Sequence, residues 1–368
     1  MVETVPVGRR NLLSDRRRVA VSLLGVGLAV ALMLLIQGLW SGTLVRITAY
    51  EDNVGAQLFV AERGTRSFGS DVSAVPPSTE DRIREVPGVE AADPIATRQL
   101  ILELHGTKMP VTLVGSLPGG LGGPWALEAG RAVAADDEVV IDAGLADSHG
   151  YRVGDRFQLL GAPLEVVGLA EDSRALGNGG YVFASRATAG RLLGAPDDTS
   201  FVLVRTSSPV PVALEIESRT GLDVLTAEEI ARGDRELYDD TIGSVIRVML
   251  AIAFAAGTLI VALSVYSSVA DRIREYGIVK ALGASHGRLL GIVLVQTGAL
   301  ALAGGVAGFG LFLAAKAAVG AWLPEFHVAL PGSILVAAFM AVVAMALVAA
   351  VLPARRVGRL DPASVYRG

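Results

Sequence analysis

The 368-residue chain is 52% hydrophobic but only 5% aromatic, and it holds 43 glycines. The apolar share exceeds the usual soluble level of about 45–50%, and small residues suit closely packed membrane helices. There is no cysteine, which excludes disulfides, thiolate metal sites and a cysteine nucleophile. The net charge of −5 hides an asymmetry: residues 41–240 hold 31 acidic and 17 basic side chains, while three short flanks of apolar runs are basic.

Residues 1–18 carry five arginines against Glu3 and Asp15 and read as a cytoplasmic amphipathic segment. An uncharged run, 19–40, follows and is long enough to cross a hydrocarbon core as a helix. Arg9-Arg10 also fits a twin-arginine signal, but the run exceeds a usual signal core and no small-x-small cleavage site follows. It is read as the first transmembrane helix. Residues 41–242 form an extracytoplasmic α+β domain with helical stalks. Its strand patterns are 57–61, 98–104, 110–115, 138–142, 156–160, 164–169, 181–184 and 201–205, rich in Val, Leu and Ile and separated by Gly, Pro and Asp turns. Helices are expected at 78–86, where Ser78 and Thr79 are placed to cap, at 143–149, at 185–193, and at 226–241 leading into the next span. The stretch 68–77 reads as a flexible loop.

The second transmembrane helix is expected at 246–270, with Arg247 able to snorkel to the interface. A short loop, 271–288, carries Arg272, Arg274, Lys280 and Arg288 against Asp271 and Glu275. The third span covers 289–318 and includes Gly304-x3-Gly308, a spacing that lets helices approach closely, and Lys316 near its outer end. An outer loop at 319–332 holds Trp322 and His327. The fourth span, 333–352, is stopped by Pro353-Ala354-Arg355-Arg356, and 353–368 is a basic tail. Basic short flanks mark the cytoplasmic side, so both termini and the 271–288 loop are placed there in a multi-pass protein, and the Ala, Gly, Val and Arg bias with few Lys points to the inner membrane of a GC-rich bacterium. Bases arranged beside spans, and not on a globular face, argue against nucleic-acid binding.

No phosphate-cradling Gly-x4-Gly-Lys-Ser/Thr loop or His-Glu-x2-His occurs. His105, His149, His286 and His327 are scattered, which disfavours a shared metal site. Asp142, Ser148 and His149 are close in sequence, but a triad forms in space. Asp136-Asp137-Glu138 and Asp197-Asp198 read as solvated turns. No catalytic residue and no directly bound cofactor or metal is expected.

The charged loop carries the specific signal. Asp271-Arg272-Ile273-Arg274-Glu275-Tyr276-Gly277-Ile278-Val279-Lys280-Ala281-Leu282-Gly283-Ala284-Ser285 resembles the segment after the second span of FtsX/MacB-type ABC transporter permeases. Arg10-Asn11-Leu12-Leu13, Ile83 to Val89, Glu138 to Asp142, Val153-Gly154-Asp155, Val166 to Leu169 and Leu360 to Ser364 resemble further pieces of that family, so the likeness covers the whole chain. The order of pieces is most similar to the DevC-like branch.

The resemblance implies a permease subunit with four spans and one external domain. It would work with a second permease copy or sister permease and with a cytosolic ATPase that holds ATP and Mg. Motion of the ATPase would reach the external domain and serve export or envelope remodelling, with a cargo or an extracytoplasmic partner outside. Because only about 18 residues precede the first span, the ATPase is expected as a separate chain. Arg272, Arg274, Glu275, Tyr276, Lys280, Leu282 and Gly283 would couple to it, and Gly304 and Gly308 would pack helices. Read physically, the loop is a short amphipathic helix with Ile273, Ile278 and Leu282 against a groove or the bilayer, Arg272, Arg274 and Lys280 in water, and Glu275 paired with Arg272. From the residues alone, a membrane receptor with an external ligand-binding domain stays open as an alternative.

Overall fold

The computed structural model describes residues 16–104, 106–171, 180–282, 284–323 and 326–358. They form two compact units. One is built of apolar helices (residues up to 42, 244–323 and from 327), and the other holds residues 43–243 with a few residues near 326.

The second unit is α+β. After α1 (Arg16–Ile47), α2 (Ala49–Asn53) and β1 (Leu58–Ala61) come α3 (Thr79–Arg84), β2 (Ala91–Leu104), β3 (Thr107–Ser116), β4 (Leu127–Gly130), β5 (Glu138–Asp142) and α4 (Ala143–His149). The chain continues through β6 (Arg156–Leu159), β7 (Ala162–Ala170), β8 (Tyr181–Ser185), α5 (Arg186–Leu193), β9 (Phe201–Arg205), α6 (Pro209–Thr220), β10 (Asp223–Thr226) and α7 (Ala227–Tyr238). The strand order is β10-β1-β9-β2-β3-β8-β5-β7-β4, with β6 on β7. β2 links the two halves: Ala91–Ile95 pairs with β9, and Ala96–Leu104 pairs with β3. Two pairs, β3 with β8 and β5 with β7, are parallel and need crossover connections.

Three apolar cores flank the sheet. Leu58, Val60 and Val202 pack with Ile83, Val212 and Ile216 from α3 and α6. Phe157, Val166 and Val182 centre a second core with Leu145 of α4 and Ala189 of α5. Between them Tyr50, Phe59, Phe68, Phe183 and Phe201 form an aromatic core, with Tyr50 stacked on Phe68 at 4.5 Å and on Tyr181 at 5.4 Å.

Several expectations are corrected here. The strand over 98–104 begins seven residues earlier, at Ala91; Asp93 and Pro94 mask it, yet the backbone pairs with β9 through that point. β4, β10 and α6 are additional elements. α6 starts on Pro209, and proline is tolerated in a first helical turn because those amides lack helical partners anyway. Ser78 makes no capping hydrogen bond, whereas Thr226 and Glu229 form a full capping box on α7. The 68–77 stretch is tied down: Phe68 and Val75 are buried, Phe68 and Gly69 N–H donate to Asp234 at 3.0 and 3.3 Å, and Val75 N–H donates to the Thr199 carbonyl at 2.8 Å.

The apolar unit contains the first part of α1, then α8 (Ser244–Asp271), α9 (Ile273–Ala281), α10 (His286–Trp322) and α11 (Gly332–Gly358). The segment joining α7 to α8, Asp239–Gly243, is a π-turn. α1, α8, α10 and α11 are long and apolar enough to cross a membrane, so the protein is an α-helical membrane protein with four spans. Their ends differ from the sequence reading. α1 runs to Ile47 and α10 to Trp322, and α11 does not stop at Pro353 but passes through it to Gly358. Proline removes one N–H from the ladder, but the following turn is held by Val357 in the core and by the Arg356 guanidinium 4.5 Å over the Tyr266 ring. Residues 1–15 and 359–368, including the lead-in and the C-terminal ending singled out above, lie outside the described residues.

Small residues set the helix contacts. A Cβ added to Gly304 would lie 2.5 Å from Val26 Cγ1, and one on Gly308 would lie 2.7 Å from the Gly27 carbonyl oxygen and from Val30 Cβ. Both glycines of the Gly304-x3-Gly308 pair therefore face α1 of the same chain. Polar side chains add hydrogen bonds between spans: the Ser22 and Ser264 hydroxyls lie 2.7 Å apart, and Gln296 donates to the Ser268 hydroxyl at 2.8 Å. Outward residues such as Leu28, Ile252, Val295 and Val306 are exposed.

Gly304→Val forces a branched side chain into Val26, an overpacking that costs about 1–3 kcal/mol, whereas nothing lies within 4 Å of a Cβ on Gly310. Thermal unfolding of detergent-purified protein is expected to start several degrees lower for Gly304→Val and at the parent temperature for Gly310→Val.

Candidate docking site

The residues between the second and third spans are ordered around α9. α8 ends at Asp271, and Arg272 leaves helical geometry with φ −113° and ψ 22°. The chain re-enters a helix at once, with the Tyr276 N–H donating to the Arg272 carbonyl at 3.2 Å. At the far end the Leu282 N–H donates to the Ile278 carbonyl at 3.0 Å, and the Ala284 N–H to the Val279 carbonyl at 3.2 Å. Ser285 then caps α10, its hydroxyl accepting from the Arg288 N–H. A nine-residue helix is thus pinned between two spans by short hydrogen-bonded joints.

Its two faces differ. Tyr276 and Gly277 are buried, and Tyr276 belongs to the core that holds Val269, Leu289, Val293 and Val357, with Val279 and Ala284 packed against it. Burial pushes the Tyr276 phenol above its ordinary value; Arg272 opposes this and Glu275 adds to it. Ile273 and Lys280, one turn either side, are half-buried. The opposite face presents Arg274, Glu275, Ile278, Ala281 and Leu282 to the outside. Leu282 is 83% exposed and Ile278 46%, high values for apolar side chains on a helix whose other side is a packed core.

This sorting revises the expected one. Ile273 does not share a face with Ile278 and Leu282, because five and nine residues at about 100° each place it roughly 140° and 180° away. Arg272 and Lys280, expected in water, are half-buried. Tyr276, expected at the docking surface, points into the core. The Arg272–Glu275 pair does form, at 3.9 Å, and its exposure limits its contribution to about 0–1 kcal/mol. Gly283 lies outside the described residues. What the structure brings together is therefore Arg274, Glu275, Ile278 and Leu282, of which Ile278 was noted in the sequence only as part of an apolar stripe.

Among the described residues no group of three or more His, Asp or Glu side chains is placed to hold a metal ion. Asp142 accepts from the Leu145 N–H as the cap of α4, and Ser148 donates to the Gly144 carbonyl, so these residues serve the helix. Glu138 is held at about 2 by its bidentate contact with Arg131, helped by the Ala134 and Ala135 amides, which fixes the turn before β5.

A family model described as MacB-like periplasmic core domain matches residues 19–215, and one described as FtsX-like permease C-terminal matches residues 247–362. An ABC transporter permease of Mycobacterium tuberculosis is 27% identical over 363 residues, covering 98% of both chains. A macrolide export ATP-binding/permease protein, MacB, of Nitrosomonas europaea is 23% identical over 98% of this chain and 58% of its own length. The crystal structure of the periplasmic region of MacB from Actinobacillus actinomycetemcomitans aligns with a TM-score of 0.37 at 12% identity, covering 49% of this chain and 92% of that one.

The two faces of α9 differ in what they contribute to stability. Tyr276→Ala empties a buried aromatic site and is expected to lower stability by about 3 kcal/mol, while Leu282→Ala stays within about 0.5 kcal/mol of the parent as an exposed change. Thermal unfolding of the two purified variants measures the difference; equal shifts would contradict the assignment of faces.

Proposed function

Because the chain belongs to the MacB/FtsX-like family of ABC transporter permeases, we propose that this permease subunit docks a separate cytosolic ATPase on the outward face of α9. The observation that carries the reading is the pair of exposed apolar side chains, Ile278 and Leu282, set beside Arg274 and Glu275 on a helix fixed from behind by Tyr276. A helix face of this kind fits an apolar groove rimmed by charges, and its rigid backing transmits displacement to α8 and α10 without a slack joint.

The remaining roles follow from that placement. The short basic flanks support a cytoplasmic side for the α9 loop and for both terminal segments, with the α+β unit outside. We assign ATP and Mg to the partner; residues 1–368 carry no Gly-x4-Gly-Lys-Ser/Thr loop. The functional assembly pairs this subunit with a second permease and two ATPase copies. Nucleotide-driven motion of the ATPases is carried to the outer unit for export or for remodelling of the envelope.

The test is co-purification of the tagged full chain from cells that also express the adjacent reading frames, followed by an ATPase assay. Ile278→Asp with Leu282→Asp is expected to reduce the bound ATPase at least about tenfold, since two charges would be forced into an apolar contact, while the thermal unfolding of the permease itself is unchanged. Undiminished ATPase on the double variant, or a parent chain that emerges with no nucleotide-dependent activity, would overturn the reading.

A further inference from the structure

Two carboxyl groups are buried in the α+β unit, and among the described residues no base faces either. Glu51 of α2 and Asp234 of α7 are each 2% exposed. Neither Glu51 oxygen has a hydrogen-bond donor. Asp234 accepts from the Ser67 hydroxyl and from the Phe68 and Gly69 N–H groups. The two carboxyls lie within hydrogen-bonding reach of each other, yet two ionised carboxylates are both acceptors and repel. Such a contact becomes a hydrogen bond only when one of them carries a proton.

Among the described residues, the groups around the pair supply no cation to either carboxyl. On α2, Asp52 adjoins Glu51, and its carboxylate takes the Thr48 hydroxyl at 2.8 Å. Arg235, the cation next to Asp234 on α7, is directed to Thr48 and Asp52 at 2.7 and 3.2 Å. Tyr50 gives its hydroxyl hydrogen to the Gly122 carbonyl at 3.1 Å. Among the described residues, Tyr181 of β8 and Tyr238 of α7 are the other titratable groups facing the site. Burial first, then Asp234, pushes Glu51 well above the ordinary carboxyl range. Asp234 is also raised by burial, against the lowering effect of its hydrogen bonds.

We propose that Glu51 and Asp234 form a proton-binding site that holds one shared proton and clamps α2, the Ser67–Gly69 turn and α7 together. Loss of that proton to the surrounding water leaves two adjacent carboxylates, whose repulsion opens the clamp. α2 follows the first span in sequence and α7 precedes the second, so the clamp joins the two segments that lead into the outer unit. It makes their association sensitive to the pH of the compartment that bathes that unit.

The sign follows from linkage. The folded protein keeps a proton that the unfolded chain releases above the ordinary carboxyl value, so stability falls as pH rises from there up to the raised value. Glu51→Gln replaces the shared proton with a fixed amide donor to Asp234 and removes the dependence. Thermal unfolding of the full chain in detergent from pH 5 to pH 9 is expected to fall by several degrees for the parent. It should be flatter for Glu51→Gln, with the variant the more stable of the two at pH 8. A variant with the parental slope would overturn the proposal.

A readout on the parent alone guards against a variant that fails to fold. At pH 7 an infrared carboxylic C=O band, shifted by exchange into heavy water, is expected, and its absence would also overturn the shared proton. So would stabilisation of the parent, but not of Glu51→Gln, by added calcium, because the pair would then be a cation site.

Discussion

The close approach of α1 and α10 is the contact on which the membrane unit depends. In hydrocarbon, lipid tails are as apolar as leucine, so helices associate by van der Waals fit and a few hydrogen bonds, with little contribution from water release. Val26 seats directly on Gly304, and Gly27 meets Gly308 backbone to backbone. Any larger residue there would hold the helices apart and forfeit dispersion contacts along the seam. The same core continues to Leu289, Val293 and Val357 and ends on Tyr276, so the orientation of α9 is a consequence of how the spans pack.

That continuity explains how a helix of nine residues, too short to be stable in isolation, holds a defined surface. Its backbone is joined to α8 and α10 by short hydrogen-bonded turns, and its inward face is fixed by an aromatic side chain. The outward face is free to be chemically mixed. Arg274 and Glu275 lie beside the exposed apolar pair Ile278 and Leu282 on that face.

The α+β unit solves a different problem. Its central core is aromatic, yet it admits two carboxyls that face each other across α2 and α7. Three donors around Asp234 compensate part of the desolvation, and a proton is the smallest species that satisfies the rest. Polar groups placed this way cost stability unless satisfied, but they define a single arrangement of the Ser67–Gly69 turn, where a purely apolar filling would have allowed sliding.

Much was legible in the chain itself. Apolar runs of spanning length, basic flanks and Val- and Ile-rich strand patterns such as 138–142 and 201–205 depend on local composition and period, and the density of the Asp271–Ser285 motif needed no structure to be seen. Pairing over long sequence separations was not legible. The first half of β2 was hidden by Asp93 and Pro94 and became a strand only because β9 lies beside it. Tyr276 and Ile273 looked like surface residues of an amphipathic helix until the spans defined which side was core. Glu51 and Asp234 were two among 37 acidic residues, 183 positions apart, and no local pattern marks them. Composition and periodicity determined which segments enter the membrane and which form strands, because those depend on each residue's own transfer energy and backbone preference. Only the tertiary structure decided which side of α9 is exposed and which acids are buried, because burial is a property of neighbours brought together by folding.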